Sequence, residues 1–355
     1  MNPLRHHGHQ CYDDGKYEKA ASFYIQAIDQ IQSLPDINID DKRLQCDIYL
    51  DLADTYIQDG RYQAANHSIG QTQEIARRLN DCRRLAHCID RQGKIKKLQG
   101  YHQQALNDFK KSLAMKLEFH GGDRNLDVAY SYNCIGIIHD DQMNYTQAQA
   151  MYEKALNIRR ELLGDYHPDV AQCYWNLGLI NRYQDKFSES IQMFHKALNI
   201  KLDIFGQHID VAYCYCNIAM IHHHQHQYDL ALNYYQKELA VRINLQGEKV
   251  PEVAVLYMNI ANVYRRLRND QQALTMYRMA QNVYINLYGK YHPELIKIYH
   301  SMAKVYKKLQ NHNEATLMNL RSLEIENRIK QVAEIDPKVS QNSTPSEGIT
   351  LSLLR

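Results

Sequence analysis

The feature that most constrains this chain is that it repeats itself. The segments "YNCIGIIHDDQMNYTQAQAMYEKAL" from Tyr132, "YWNLGLINRYQDKFSESIQMFHKAL" from Tyr174, "YCNIAMIHHHQHQYDLALNYYQKEL" from Tyr215 and "YMNIANVYRRLRNDQQALTMYRMAQ" from Tyr257 align, and a fifth copy starts at Tyr299, giving steps of 42, 41, 42 and 42 residues. A period of this length means one supersecondary unit per copy, each unable to bury its apolar face alone and closing its core on its neighbours. In every copy an apolar residue is followed by a small or compact one: Ile135-Gly136, Leu177-Gly178, Ile218-Ala219, Ile260-Ala261 and Met302-Ala303. A second stretch pairs a small residue with an aromatic four positions on, as in Ala148/Tyr152, Ala231/Tyr235 and Ala273/Tyr277. The small residues let two antiparallel helices approach, and the aromatics fill the gap between repeats.

Looser copies precede these: "GKYEKAASFYIQAI", "YLDLADTYIQDGRYQAA" and "GYHQQALNDFKKSL". The chain therefore reads as eight helix pairs within residues 1–330, at about 1–34, 46–79, 86–119, 129–162, 171–204, 212–245, 254–287 and 296–329. With only 7 Pro and 15 Gly in 355 residues, helices run with few interruptions, and strand-type alternation is hard to find. Pro168, Pro251 and Pro293 each fall where a first helix should begin. Residues 331–355 gain Ser, Thr and Pro and read as a disordered tail.

The pattern resembles the tetratricopeptide motif W-x-x-L-G-x-x-Y…A-x-x-x-F. The step of about 42 and the G-x-x-H-P-[DE] connector, seen in "GDYHPD" and "GKYHPE", are similar to the long repeats of kinesin light chains and nephrocystin-3-like proteins. The likeness is clear over about residues 127–328 and weaker before. It implies an all-α, right-handed α-solenoid of about eight helix-turn-helix repeats, with first helices lining a concave groove. Kinesin light chains also carry an N-terminal heptad segment that binds the heavy chain. This sequence begins directly in a repeat helix, so motor assembly is not implied, and a fragment or divergent relative is expected.

Two ladders of candidate residues follow from the register. Asn176, Asn217 and Asn259 precede the apolar-small pair in three successive copies. By resemblance to peptide-binding tetratricopeptide domains, these carboxamides would grip a ligand backbone, offering donor and acceptor together. The alternative is that each bonds a neighbouring helix. A second ladder reads Asp140-Asp141, Arg182-Tyr183, His223-His224, Arg265-Arg266 and Lys307-Lys308. Lys297, His300 and Lys304 extend its basic end, and Asp47, Asp51 and Asp54 its acidic one. A groove polarised in this way selects an extended peptide whose acidic residues lie over the later repeats; a solvated helix face is the competing account.

The remaining chemistry is sparse. With 42 Lys+Arg against 40 Asp+Glu, no global field favours nucleic acid or a membrane surface, and Asp140-Asp141 would repel phosphate. No apolar run approaches a bilayer span. No nucleotide-binding loop, zincin or nucleophile-elbow motif occurs, so no enzyme activity, cofactor or metal is expected. Cys88, Cys173 and Cys214 recur just before the aromatic slot and read as small packing residues, and Trp175 as a packing or ligand-stacking ring. The run "IHHHQH" divides by register. His222 stands between helices, His226 in the turn, and His223 and His224 on the groove rung, where an acidic ligand would bind more tightly as pH falls towards about 6.

The resulting expectation is a non-catalytic scaffold or adaptor, cytoplasmic with an association to the cytoskeleton implied by resemblance, that binds a protein or peptide with acidic residues. Its rivals are a kinesin-light-chain-like cargo adaptor, with heavy chain or cargo as partner, and a regulatory repeat segment of a larger enzyme or signalling NTPase.

Overall fold

The computed structural model describes residues 2–335, and among them every regular element is helical. Sixteen helices follow in pairs: α1 (Pro3–Asp13) with α2 (Tyr17–Gln32), α3 (Ile39–Gln58) with α4 (Tyr62–Arg78), α5 (Cys82–Leu98) with α6 (His102–His120), and α7 (Leu126–Asp141) with α8 (Tyr145–Leu163). Then come α9 (Pro168–Tyr183) with α10 (Phe187–Phe205), α11 (Ile209–His224) with α12 (Tyr228–Gln246), α13 (Pro251–Arg266) with α14 (Asp270–Tyr288), and α15 (Glu294–Lys308) with α16 (His312–Ile335). α16 runs five residues into the segment expected to be a tail, while residues 336–355 lie outside those described. Contacts group the chain into two compact units, Met1–Ile180 and Asn181–Arg355. No helix of the described residues is long and apolar enough to cross a membrane.

The close approach inferred from the small residues is present within the pairs. A Cβ placed on Gly136 would stand 2.7 Å from a ring carbon of Tyr152, and one on Gly8 would stand 2.5 Å from Tyr24. Tyr24, Tyr152 and Tyr277 are nearly fully enclosed, so the second helix's ring occupies the space the first helix leaves empty.

Helix ends use a small set of devices. Pro168 and Pro251 open α9 and α13, and Pro293 immediately precedes α15. The connector histidines cap first helices: Nδ1 of His167, His208 and His292 accepts the backbone N–H of Asp169, Asp210 and Glu294 at 3.1, 3.2 and 3.3 Å. The turn inside each pair needs one left-handed residue. Gly15, Gly60 and Gly100 supply it early, and Met143, Asp185, His226, Arg268 and Gln310 later.

A column of buried cations was not legible as such. Lys116, Arg159, Lys201 and Arg242 occupy equivalent places in four successive second helices and are all buried. Lys116 Nζ bonds Asp90 Oδ2 at 2.5 Å, Ser131 Oγ at 2.8 Å and the Asp127 carbonyl at 3.1 Å. Arg159 reaches the Asp169 carbonyl and the Cys173 sulfur, each at 3.2 Å. Lys201 reaches Asp210 at 3.1 Å, and Arg242 pairs with Glu238 at 2.7 Å. The first three thus fasten a second helix to the first turns of the next first helix. The recurring slot before the aromatic, Ser131, Cys173 and Cys214, is the small residue this cation passes. Because the Lys116–Asp90 pair is enclosed, removing one partner strands the other charge. Lys116→Met is expected to cost about 3–5 kcal/mol in chemical denaturation, and adding Asp90→Leu to restore most of it. A single variant of parental stability would contradict the pairing.

Candidate functional site

The nominated residues do not form one ladder. Asn176 is buried, donating to Asn133 Oδ1 and accepting from Gln172 Nε2, both at 3.0 Å. Asn217 is buried too: its Nδ2 donates to the Tyr213 carbonyl at 2.9 Å and its Oδ1 accepts from Arg182 at 2.8 Å. Both carboxamides are therefore engaged within the scaffold in the free chain. Asn259 differs: it is half-buried, lines a cavity, and makes no side-chain hydrogen bond within the described residues.

The charged rungs separate as well. The second residue of several pairs reaches back to the first residue of the preceding second helix. His224 packs on Phe187 with ring centres 4.9 Å apart, Lys308 pairs with Asp270 at 2.7 Å, and Asp141 lies 3.7 Å from His102. These contacts are inter-repeat. Arg265 turns inward beside the Tyr277 hydroxyl, and its Nε is buried. Arg266, Lys297, His300, Lys304 and Lys307 are exposed. Lys297 is held by Glu294 at 2.8 Å, and His300 by Ser322 on α16 at 2.9 Å. The Arg and Lys residues ending α13 and α15 also lie at the negative ends of the helix dipoles.

The expected acidic end is neutralised. Asp47 pairs with Arg84 at 2.8 Å, Asp51 with Arg5 at 2.6 Å, and Asp54 with Arg91 at 2.5 Å. These carboxylates fasten α3 to its neighbours α1 and α5, and they leave no free acidic field to set against the basic end.

The second unit contains a concavity of about 500 Å³ between the C-terminal end of α9, α11 and α13. Met220, Ile221, Val255 and Tyr235 give it an apolar floor, and Arg182, Tyr183, Asp185, His223, His224, Asn259 and Asn262 give it a polar rim in which Asp185 is the one carboxylate. Arg182 is held ready by Asn217, and its guanidinium lies 5.1 Å from the centre of the Tyr183 ring. Five nominated residues meet here: Arg182, Tyr183, His223, His224 and Asn259. The floor was missed because its apolar residues follow the same period as the core.

The histidine run takes four separate environments. His222 is buried, stacks on Tyr234 and bonds Gln227 at 2.6 Å. His226 sits in the left-handed turn at φ 61°. His224 packs on Phe187, and His223 faces the cavity rim. Burial, and then the positive charge of Arg266, hold the His223 imidazole below its ordinary range. In the free chain the ring therefore charges at a lower pH than an ordinary imidazole. Its stabilising contribution is present above the ordinary imidazole pKa and is lost as pH falls through the lowered folded value. An NMR titration of His223 is expected to show a midpoint below about 6.5, raised by Arg266→Gln; an ordinary midpoint unaffected by that change would contradict this environment.

Comparison with known proteins places these observations. The family model described as tetratricopeptide repeat matches residues 127–203, 184–244, 210–284 and 252–327, which together span more than half of the chain. No curated protein sequence matches. The fold is similar to BtubC (BKLC) from P. vanneervenii, at 21% identity and TM-score 0.54, covering 64% of this chain and 92% of that one. It is also similar to a putative kinesin light chain with nearly identical TPR-like repeats from Podosopora anserina, at 14% identity and TM-score 0.50, covering 56% and 95%. A signal transduction ATPase with numerous domains and a tetratricopeptide repeat sensor, from Pyrococcus horikoshii, matches at 17% identity and TM-score 0.61 over 79% of this chain. This chain spans 41% of that protein.

Proposed function

Since this chain belongs to the tetratricopeptide repeat family, we propose that it is a protein-interaction scaffold without catalysis of its own that binds an extended peptide in the second unit. The observation that carries this reading is the cavity between α9, α11 and α13: an apolar floor under a rim holding Arg182, His223 and the unengaged carboxamide of Asn259. Its volume, about 500 Å³, has room for an apolar side chain together with the residues beside it. Asn259 can pair with a peptide unit, and Arg182 can take a carboxylate as a charge-assisted partner. The ligand is thus an apolar anchor residue with an acidic neighbour. The exposed Arg266, Lys304 and Lys307 would add attraction that is screened by salt. A cytoplasmic setting is part of this proposal.

Two narrower readings draw on the fold likenesses. The kinesin-light-chain type favours a cargo adaptor of a motor, with heavy chain or cargo as its partner. The likeness to an ATPase with a tetratricopeptide repeat sensor favours a regulatory segment acting on an NTPase. Co-purification with a motor heavy chain supports the first, and with an NTPase the second.

The test is fluorescence anisotropy with extended peptides that pair one bulky apolar residue with acidic or with basic neighbours. The acidic series is expected to bind more tightly. Asn259→Ala and Arg182→Gln should each weaken it by about tenfold without altering helical circular dichroism. Unchanged affinity in both variants, or a preference for basic peptides, would remove the cavity from the binding site.

A further inference from the structure

Beside the cavity lies a recess of about 60 Å³, between α11 and α13 with α12 behind it. It shares Cys216, Val255 and Asn259 with the cavity and adds Glu238, Arg242 and Glu252 to its walls. Glu238 and Arg242, one turn apart on α12, are each 3% exposed, and Arg242 Nε donates to Glu238 Oε1 at 2.7 Å. The other carboxylate oxygen, Glu238 Oε2, is buried without a hydrogen-bond partner. The Cys216 thiol lies against the same carboxyl, but a thiol is a weak donor. A buried charged acceptor left unmatched costs stability, so it calls for a reason. The repeat itself does not supply one. Four residues before the buried cation or its counterpart, the other second helices carry Ser112, Ala155, Ala197 and Ala280, all fully buried. Arg159 is satisfied with no carboxylate at that place.

We infer that Glu238 Oε2 accepts a hydrogen bond from a serine or threonine hydroxyl of the bound peptide, two positions from its apolar anchor. The inference rests on the cavity being the peptide site. Alternate side chains of an extended peptide point to one face, roughly 7 Å apart, which suits two pockets that share a wall. Asn259 belongs to both and takes the peptide unit between them. The recess has the volume of on the order of two water molecules, room for a hydroxyl-bearing branch but not for a lysine or aromatic side chain. A phosphorylated hydroxyl is excluded twice, by size and by the repulsion of Glu238 and Glu252. Phosphorylation of that residue would therefore release the ligand.

Fluorescence anisotropy tests this with peptides of one apolar anchor and one acidic neighbour, carrying Thr, Val, Lys or phosphothreonine two positions before or after the anchor. Val matches the shape of Thr and lacks its hydroxyl. At one of the two positions Thr is expected to bind about tenfold more tightly than Val, and phosphothreonine too weakly to measure. In the double variant Glu238→Leu/Arg242→Leu, which exchanges the ion pair for apolar groups, the difference between Thr and Val should disappear with helical circular dichroism retained. The comparison on the unmodified chain decides the matter even if that variant does not fold. Equal affinity for Thr and Val at both positions overturns the inference; the cavity stays the binding site if Asn259→Ala and Arg182→Gln still weaken binding. A preference for Lys, tolerance of phosphothreonine, or a preference for Thr that survives in the double variant overturns it as well. If none of the peptides binds, the cavity reading falls and this inference falls with it.

Discussion

The contact on which the repeats depend is the seating of an aromatic ring from the second helix in the space left by a missing side chain on the first. Tyr152 against Gly136 and Tyr24 against Gly8 leave no room for a Cβ. With the helices that close, the ring is enclosed on all sides and gains dispersion contacts with both helices. The approach also fixes which residues of each first helix remain on its outer side, and so which can meet a ligand.

A second constraint acts between repeats and is ionic rather than apolar. Lys116, Arg159 and Lys201 are buried where a second helix meets the start of the next first helix, each answered by carbonyl, hydroxyl, thiol or carboxylate groups. Enclosed cations stabilise only when those partners are placed correctly, and removing one partner leaves the other group buried and unpaired. The paired carboxylates Asp47, Asp51 and Asp54 belong to the same class of fastening. They show why a run of charge on a repeat face is a poor guide to a ligand field: in a stacked array, the nearest opposite charge is often on the neighbouring helix.

That neighbour effect decides how much of the candidate site could be read in advance. Position in the repeat is a property of one chain segment, so the places of His222 and His226 followed from register. Engagement is a property of two segments. Asn176, Asn217 and Asn259 share one register, yet Asn217 is taken by Arg182 and Asn176 by Asn133, and Asn259 alone of the three keeps its carboxamide for the cavity. Arg265 and Arg182 likewise share a register, but one turns to the Tyr277 hydroxyl and the other to the cavity rim.

The sequence by itself determined the helical class, the pairing and the period, because these rest on local spacing: small residues four positions from aromatics, and proline where first helices begin. Tertiary structure alone decided which equivalent positions became scaffold and which became surface. Burial and hydrogen bonding of a side chain depend on the helix packed against it, and that neighbour carries a different residue in every repeat.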